Sequence, residues 1–370
     1  MERIAIFIPS LSGGGAQRVM LNLAKGLSDK NYKIDLVVVK LEGQYINQVP
    51  KNIKLISLNS RYAITSLFPL IKYLKTNKPD ILISAMAHVN VVAIISKILT
   101  RKKTKLIITE HTTLSLAKKE SKKVKEKVLF NILKYIYNYA DAIVAVSKYM
   151  AHDMSIILGI PEEKINVIYN PIIDNSLIEK SNQDIEEEWF NPNESPVVIS
   201  IGRLAEPKDF ETLIRAFKKV RDKMKVRLLI LGEGPKREQL EKLIHDLNIE
   251  NDVKMPGFKQ NPYAYLRRAA LFVLSSKREG LPTVLVEALA CGIPVISTDC
   301  LSGPREILQN GRLGTLVPVG DVDALAKAIE LNLNNINNIR NRISLNDLKE
   351  FTFEKSIQNY IKLIRSVLND

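Results

Sequence analysis

Residues 271–298, "LFVLSSKREGLPTVLVEALACGIPVIST", contain one complete strand, helix and strand unit. The first six residues are predicted as a strand, and its first four, "LFVL", form a continuously apolar run that is typical of a parallel strand covered on both faces. Pro282 suits the first turn of a helix that begins near this position. "PVIST" (294–298) then starts a second strand. This pattern predicts a parallel sheet with helices packed against it.

The same alternation extends along the chain. In the first half, strands are predicted at 3–9, 33–40, 80–85, 105–109 and 142–147. In the second half, they are predicted at 197–202, 226–232, 271–276 and 294–298. The predicted helices include 14–30, 209–223 and 235–247. Pro, Asn and acidic residues interrupt the pattern at 170–196. The sequence therefore predicts an α/β fold of two consecutive βαβ domains, residues 1–175 and 176–352. A helix at about 353–370 can pack back on the first domain or the second.

The positive charge is unevenly distributed. The net charge of +14 arises from 26 Lys and Arg against 13 Asp and Glu in residues 1–175, and 28 against 27 in the remainder. Such an excess favours an anionic partner for the first half, whether nucleic acid, anionic lipid or a phosphorylated substrate. An ordinary lysine-rich surface is the alternative.

Composition also limits the location of the protein. The longest apolar stretches, such as "HVNVVAIISKIL" (88–99), are too short to cross a bilayer. The N-terminus lacks the apolar core of a signal peptide. Two cysteines indicate no disulfide framework, so we expect a cytoplasmic protein.

A glycine-rich turn follows the first strand. "IPSLSGGGAQR" places Gly13, Gly14 and Gly15 before a helix, where the backbone can approach a ligand and helix N–H groups can bind an anion. The spacing differs from that of the dinucleotide-binding fingerprint. A plain connecting turn is the alternative.

Two cations follow the first strand of the second domain. Arg203 and Lys208 lie in "IGRLAEPKD" (201–209), at the carboxyl edge of the predicted sheet. Arg offers bidentate phosphate contacts, and Lys a point charge. They are either phosphate ligands or two solvated loop charges.

Two carboxylates bracket the helix of the opening stretch. Glu279 should lie in the loop before the helix and Glu287 in its second turn, about 10 Å or more apart at ~1.5 Å per residue. That separation is awkward for two groups acting on one bond. It suits contacts with different hydroxyls of one sugar-containing ligand. The N–H groups of Gly280 and Leu281 would face an anion between them.

Together, Glu-x7-Glu, the upstream "GR…K", "GGGAQR" and "GPREIL" (303–308) resemble glycosyltransferase family 4. The resemblance covers essentially the whole chain, with the motifs in the same order. It implies the GT-B fold, with two Rossmann-like domains facing across a deep cleft, and a retaining enzyme that uses a nucleotide sugar. The pattern is most similar to bacterial enzymes that extend polysaccharides or polyprenyl-diphosphate-linked oligosaccharides with hexose or N-acetylhexosamine.

The resemblance also implies roles for the second domain. Arg203 and Lys208 would hold the donor diphosphate and stabilise the leaving group. Glu279 would hydrogen-bond the donor sugar, and Glu287 the ribose hydroxyls.

In the first domain, the resemblance places Gly14 and Gly15 beside the diphosphate or acceptor. His111, in "ITEHTT", matches a position that contacts the donor sugar, although a lone histidine is usually structural. Two positions depart from the family. Gln17 replaces a frequent glutamate, and Asn170 is followed by proline, which stiffens the connection between the domains.

We predict that no metal or other cofactor is needed. The sequence has one Asp-x-Asp, Asp321-Val-Asp323, which precedes a helical pattern and suits a helix N-cap. No carboxylate is obviously placed as a covalent nucleophile. The family expectation is retention by front-face attack, with the leaving phosphate accepting the acceptor proton.

A basic amphipathic helix is predicted at 116–140. Its first half contains Lys118, Lys119, Lys122, Lys123, Lys125 and Lys127. Such a helix can bind anionic lipid or a pyrophosphate headgroup, or it can be an ordinary core-packed helix with a solvated face. The sequence has no aromatic interleaving or helix-turn-helix pattern, so nucleic acid is not expected.

The predicted function is transfer of a hexose or N-acetylhexosamine from a nucleotide-diphosphate sugar, UDP by preference, to a lipid-linked or growing glycan. We expect the enzyme on the inner face of the cytoplasmic membrane. A GT-B sugar-nucleotide epimerase and a non-catalytic nucleotide-sugar-binding protein are the alternatives.

Overall fold

The chain divides into two compact units in the structure, which is a computed structural model. The N-terminal unit comprises Met1–Pro171 and Glu350–Asp370, and the C-terminal unit comprises Ile172–Lys349. The structure describes residues 2–12, 14–100, 103–120, 132–191, 193–336 and 344–369.

The N-terminal unit is built on a parallel sheet. Its strands are β1 (Arg3–Ile8), β2 (Lys33–Val38), β3 (Lys54–Ser57), β4 (Ile81–Ala85), β5 (Lys105–Glu110), β6 (Ala142–Ala145) and β7 (Ile165–Val167). Across the described residues they are ordered β3-β2-β1-β4-β5-β6-β7, and each adjacent pair is parallel. The strand order therefore reverses direction between β1 and β4.

Helices cover this sheet. They are α1 (Gly15–Asp29), α2 (Leu67–Asn77), α3 (Ala87–Thr100), α4 (Leu114–Glu120) and α5 (Lys148–Leu158). Short 3-10 helices occur at Ile46–Gln48, Ile64–Ser66, Tyr137–Tyr139 and Glu162–Lys164, and residues 132–136 are also helical.

The C-terminal unit repeats the plan. Its strands are β8 (Val197–Ile201), β9 (Arg227–Leu231), β10 (Val253–Gly257), β11 (Leu271–Leu274), β12 (Val295–Thr298) and β13 (Thr315–Val317). They form a parallel sheet in the order β10-β9-β8-β11-β12-β13. Here the order reverses between β8 and β11.

Its helices are α6 (Asn175–Ser181), α7 (Phe210–Arg221), α8 (Arg237–Asp246), α9 (Tyr263–Arg268), α10 (Thr283–Ala290), α11 (Pro304–Ile307) and α12 (Val322–Asn334). Short 3-10 helices occur at Glu188–Phe190, Glu206–Lys208 and Leu345–Phe351. Helix α7 packs on the sheet through Leu213, Phe217 and Val220, which recur at helical spacing and are buried.

The final helix, α13 (Phe353–Asn369), belongs to the N-terminal unit. Its buried face includes Ile357 and Tyr360, and it joins α1 in one apolar cluster. A Cβ atom built on Gly26 of α1 would lie 2.4 Å from Ile357 Cδ1, so glycine allows the two helices to approach closely.

The predicted α/β class and the predicted parallel strands are confirmed. The sequence analysis did not identify β3, β7, β10 and β13. None of the helices in the described ranges is long and apolar enough to cross a membrane.

Candidate active site

Both sheets have a reversal in strand order, and ligands of such sheets bind beyond the carboxyl ends of the strands at that point. In the C-terminal unit the flanking strands are β8 and β11. The loop after β8 contains Arg203 and Lys208, and the loop after β11 contains Glu279. The fold therefore brings these three predicted site residues to one edge of one sheet.

The loop after β8 ends in a tightly held turn. Lys208 closes the 3-10 helix Glu206–Lys208, and Asp209 then adopts a left-handed conformation with φ 47°. Asp209 is buried, and its Oδ2 accepts a 2.7 Å hydrogen bond from Thr212 Oγ1 in the first turn of α7. This fixed turn determines the direction in which Lys208 leaves the backbone.

Lys208 and Glu279 form an ion pair. Lys208 Nζ lies 2.5 Å from Glu279 Oε1, and their side chains are 23% and 11% exposed. Ser276 Oγ donates a 2.6 Å hydrogen bond to the same carboxylate oxygen. Ser275 Oγ, one residue earlier, donates to the backbone oxygen of Lys208 at 2.9 Å. Two serines directly after β11 therefore position both members of the pair.

A third loop supports the one that carries Glu279. Thr298 Oγ1, at the end of β12, donates to the backbone oxygen of Ser276 at 2.5 Å. Ser302 Oγ donates to the backbone oxygen of Gly280 at 2.6 Å. Gly303 has φ 89°, and a Cβ atom there would lie 2.4 Å from Pro282 Cδ. The "GPREIL" motif thus packs directly beneath the start of α10.

Glu287 lies within α10, in its second turn, and Glu279 precedes the helix, as the sequence analysis predicted. Glu287 is buried, and Tyr263 Oη of α9 donates to its Oε1 at a distance of 3.4 Å. Glu279 therefore lies before α10 and Glu287 within it, and the two carboxylates have different partners.

The charges beside Lys208 are largely compensated. Glu206 forms ion pairs with Lys236 and Lys277, and these hydrogen bonds lower the pKa of Glu206 to about 2. Lys277 also lies 3.4 Å from Asp209. In contrast, Arg203 is exposed and has no ion pair with any residue that the structure describes. Arg203 thus presents an uncompensated positive charge at this edge.

In the N-terminal unit the corresponding edge begins with the glycine turn. Gly14 is the N-cap of α1, with φ −79° and ψ 157°, a conformation open to any residue. A Cβ atom on Gly15 would have no neighbour within 4 Å, whereas one on Gly14 would lie 2.2 Å from Gln17 Oε1. The start of α1 is therefore open at Gly15. Gly13 lies outside the described residues.

His111 directly follows β5 and is half-buried. Its Nε2 lies 3.2 Å from Thr109 Oγ1, which also donates to the backbone oxygen of Ser84 at 3.1 Å. Burial lowers the pKa of His111 to about 4. The imidazole is therefore neutral at physiological pH and suited to hydrogen bonding rather than to carrying a positive charge.

Sequence reasoning missed a buried polar network beside His111. Glu110 is 1% exposed, and its Oε1 accepts hydrogen bonds from Tyr137 Oη and, at 2.8 Å, from Asn90 Nδ2. Ser84 Oγ donates to Asn90 Oδ1 at 2.7 Å. Burial raises the pKa of Glu110 to about 7, although the two hydrogen bonds oppose the increase. The sign of this network in the sequence is the position of the acidic Glu110 at the end of the largely apolar strand β5.

The middle of the basic helix predicted at 116–140, residues 121–131, lies outside the described residues, and the structure is helical at 116–120 and 132–136. Lys118 is exposed at the end of α4, and no side chain is described for Lys119. Lys122, Lys123, Lys125 and Lys127 fall between the described ranges. Their proposed contact with acceptor or membrane stays a prediction.

Asp321 has the predicted structural role. It is the N-cap of α12, and its Oδ1 accepts a 2.9 Å hydrogen bond from the backbone N–H of Ala324. Among the described residues, no group of three or more His, Cys, Asp or Glu side chains could hold a metal ion.

Both units match known protein families. Residues 13–175 match the family described as "Glycosyltransferase Family 4", and residues 181–349 match the one described as "Glycosyl transferases group 1". The two matches together cover the glycine turn, His111 and all the candidate residues of the C-terminal unit.

Two relatives illustrate the similarity. The chain is 30% identical over 349 residues to N-acetylgalactosamine-N,N'-diacetylbacillosaminyl-diphospho-undecaprenol 4-alpha-N-acetylgalactosaminyltransferase of Campylobacter jejuni, covering 89% of this chain and 90% of that one. It is 35% identical over 247 residues to an uncharacterised glycosyltransferase of Methanocaldococcus jannaschii, covering 65% of this chain and 61% of the relative.

Solved structures share the fold. Anabaena HepE in complex with UDP and glucose superimposes with a TM-score of 0.80 at 21% identity, over 99% of this chain and 100% of that chain. Together with the two parallel sheets, this likeness identifies the GT-B fold of two Rossmann-like domains.

Proposed function

The chain belongs to glycosyltransferase family 4, and from this premise we propose that it transfers a hexose or N-acetylhexosamine from a UDP-sugar, with retention, to a polyprenyl-diphosphate-linked oligosaccharide or another growing bacterial surface glycan. The observation that carries the proposal is the cluster of Arg203, Lys208 and Glu279 at the carboxyl edge of β8 and β11. Two cations beside a sugar-binding carboxylate suit a sugar joined to a diphosphate.

The cations act on the leaving group. In our proposal, Arg203 and Lys208 bind the donor diphosphate and stabilise the negative charge that develops as the sugar departs. Arg203 is exposed and therefore accessible to the phosphates, and Lys208 is already held at the end of a fixed turn.

The carboxylates bind the sugar and the nucleoside. We assign Glu279 to a hydroxyl of the donor sugar, with Ser276 holding its carboxylate in place at 2.6 Å. Glu287 is assigned to the ribose hydroxyls. Glu287 is buried, so ribose binding requires its carboxylate to become accessible from the loop side of α10.

The reaction breaks the bond between the sugar C1 and the phosphate oxygen and forms a bond from C1 to the acceptor oxygen on the same face. The acceptor oxygen attacks C1 directly and its proton passes to the departing phosphate, so the step needs neither a protein nucleophile nor a protein base. We propose that the two cations make a divalent metal unnecessary, and we expect chelation with EDTA to leave the transfer rate unchanged.

The acceptor is assigned to the N-terminal unit, residues 1–171 with 350–370, and the donor to the C-terminal unit. The Campylobacter jejuni relative is named for an undecaprenol-linked substrate, which supports a lipid-linked acceptor. The strong basic excess of residues 1–175 suits the diphosphate of such a lipid. We propose that the enzyme works on the cytoplasmic face of a membrane as a peripheral protein, where a lipid-linked acceptor and a nucleotide-sugar donor would meet.

A donor screen tests the proposal. Purified protein is incubated with individual nucleotide sugars, with and without polyprenyl-diphosphate-linked acceptors, and both the released nucleotide and the glycolipid product are measured. Acceptor-dependent release of UDP with a glycosylated product is the expected result. Lys208→Ala and Glu279→Ala should each lower it by roughly 100-fold or more.

A matched control is available in the same unit. Lys219 and Asp323 form an equally short but exposed ion pair, so Lys219→Ala should leave transfer unchanged. Donor turnover without acceptor would instead indicate an epimerase. Nucleotide-sugar binding without any turnover would indicate a non-catalytic binding protein.

A further inference from the structure

The N-terminal unit exposes large apolar side chains at the start of α2. Tyr62, Ile64 and Phe68 are 57%, 62% and 76% exposed, within seven consecutive residues. With the neighbouring cations Arg61 and Lys72 they form a surface that we call the α2 face. Scattered exposed apolar residues are ordinary, but a cluster rimmed by charges marks an interaction surface.

Local hydrogen bonds hold this segment in a defined shape. Thr65 Oγ1 donates to the backbone oxygen of Tyr62 at 2.8 Å and accepts from its N–H at 3.2 Å. Ser66 Oγ donates to the backbone oxygen of Ala63 at 2.5 Å. The apolar side chains are therefore presented by a closed turn whose backbone groups are already paired.

The packing of α2 fixes which side faces outward. Leu70 and Leu74 are buried, and Tyr73 Oη donates a 2.6 Å hydrogen bond to the buried Asp35 of β2. Phe68 and Lys72 lie four residues apart on the opposite side of the helix and are exposed.

The surrounding sequence is almost free of negative charge. Residues 43–109 contain eleven Lys and Arg and a single acidic residue, Asp80. Asp80 follows α2, precedes β4 and accepts a 2.7 Å hydrogen bond from the backbone N–H of Arg3, so it lies at the opposite end of the helix. The Arg61 guanidinium lies 5.3 Å from the centre of the Tyr62 ring. Exposed apolar side chains flanked by cations are complementary to an anionic lipid bilayer, which has negative headgroups and an apolar interior.

We propose that the α2 face docks on an anionic lipid bilayer, with Tyr62, Ile64 and Phe68 entering the boundary between headgroups and acyl chains. Arg61 and Lys72 would contact the headgroup phosphates. Tyrosine suits this depth because its ring is apolar and its hydroxyl polar. A nucleic acid would match the cations but not the aliphatic and aromatic tips.

The location of the α2 face agrees with a lipid-linked acceptor. The segment follows the carboxyl end of β3, and Gly14 and His111 follow the carboxyl ends of β1 and β5 in the same sheet. Docking would bring this edge to the bilayer. The biological purpose of the contact rests on the proposed function, but bilayer binding is measured without donor or acceptor, so either proposal can fail alone.

Co-sedimentation of the full chain with vesicles tests the proposal. Vesicles of phosphatidylglycerol mixed with phosphatidylcholine should bind the protein, and pure phosphatidylcholine should bind it much less. Phe68→Ser should weaken binding at least ~10-fold, from the transfer free energy of one large apolar side chain. Lys72→Gln with Lys75→Gln removes two exposed cations of α2 and should weaken binding roughly 30-fold, at about 1 kcal/mol per cation.

Matched controls lie in the C-terminal unit. Phe258 is 49% exposed, so Phe258→Ser should leave vesicle binding unchanged. Lys242 and Lys327 are also exposed, and replacing both with Gln removes the same charge as the double lysine variant. These variants separate a specific face from a general effect of charge or polarity.

Insertion is measured directly with Phe68→Trp. The chain has one tryptophan, Trp189, which is buried in the C-terminal unit. Brominated acyl chains should quench the introduced indole and leave the Trp189 emission unchanged.

The proposal is overturned if Phe68→Ser binds vesicles like the unmodified chain, or if the introduced indole is not quenched. It is also overturned if Phe68→Ser converts a dimer into a monomer without affecting vesicle binding, because the face would then be a contact between copies. Equal binding to neutral vesicles would overturn the role of the cations.

Discussion

Lys208 and Glu279 form an ion pair, with Nζ and Oε1 2.5 Å apart. The cation assigned to the donor phosphate is therefore neutralised by the carboxylate assigned to the donor sugar. A nucleotide-sugar donor offers a partner to each group, because its phosphate can pair with Lys208 and a sugar hydroxyl can hydrogen-bond to Glu279. UDP alone pairs with Lys208 and offers no sugar hydroxyl to Glu279, which loses its ion pair and keeps the hydrogen bond from Ser276.

This relationship predicts opposite effects on UDP binding. Glu279→Gln should strengthen UDP binding about fivefold, or ~1 kcal/mol, because UDP no longer competes with a carboxylate for Lys208. Lys208→Ala should weaken UDP binding at least ~10-fold, because a charge-assisted contact with phosphate is lost. Isothermal titration calorimetry with UDP measures both. Unchanged or weaker UDP binding by Glu279→Gln would show that the pair does not compete with the nucleotide.

Two glycines provide a comparison of steric and conformational effects. Gly303 and Gly320 both have positive φ, 89° and 74°, but a Cβ atom at 303 meets Pro282 at 2.4 Å while one at 320 has no neighbour within 4 Å. Gly320→Ala should lower the free energy of unfolding by about 1 kcal/mol from backbone strain alone. Gly303→Ala should lower it by at least ~2 kcal/mol and also weaken donor binding, since Pro282 is the N-cap of α10. Guanidinium denaturation gives the first quantity, and equal losses for the two variants would contradict the packing argument.

Glu110 predicts a pH-dependent stability. Its pKa is about 7 in the folded chain against an ordinary value of 4.5, so between these values the folded chain keeps a proton that the unfolded chain has lost. The contribution is complete below pH 4.5 and is lost as the pH rises through 7. Glu110→Gln is neutral throughout. The free energy of unfolding of Glu110→Gln should therefore rise relative to that of the unmodified chain as the pH increases from about 5 to about 8. The expected difference is on the order of 3 kcal/mol, because each pKa unit corresponds to ~1.4 kcal/mol.

Denaturation midpoints of both proteins across this pH range check the prediction. Glu163→Gln is a suitable control because Glu163 is an exposed carboxylate in the same unit. A difference between Glu110→Gln and the unmodified chain that does not change with pH would show that the buried carboxyl does not titrate there.

His111 is expected to remain neutral in working conditions. Burial lowers its pKa to about 4, so any stability it provides is present above its ordinary value of 6.5 and is lost progressively as the pH falls from there through 4. The ring proton resonances of His111, assigned by their absence in His111→Gln, should show no titration between pH 5 and 8. A midpoint near 6.5 would mean that the imidazole is solvated and can carry a charge at the site.

The sequence predicted the central strands of both sheets and missed β3, β7, β10 and β13, which are the four edges. Central strands are covered on both faces and are continuously apolar, as in "RIAIFI" of β1. Edge strands are shorter and partly exposed. β10, for example, has the sequence "VKMPG", with a lysine and a proline that obscure its pattern.

For the candidate site, the sequence predicted the positions of the residues in the fold but not their side-chain contacts. Motif spacing placed Arg203, Lys208 and Glu279 at one sheet edge, because the carboxyl ends of parallel strands meet there. It did not predict the pairing of Lys208 with Glu279, nor the buried contacts of Glu110 with Asn90 and Tyr137. These depend on side-chain directions and on burial across elements 20 or more residues apart, which a linear pattern does not contain.

The close packing of α13 against α1, at Gly26 and Ile357, has a consequence for synthesis. On the ribosome, every residue of the C-terminal unit emerges before α13 does, whereas β1 and α1 emerge first. The C-terminal unit can therefore fold during translation while the apolar side of α1 is not yet covered by α13. The N-terminal unit is therefore synthesised first but completed only after α13 has emerged. Until then the nascent chain exposes the apolar side of α1, which chaperones would recognise.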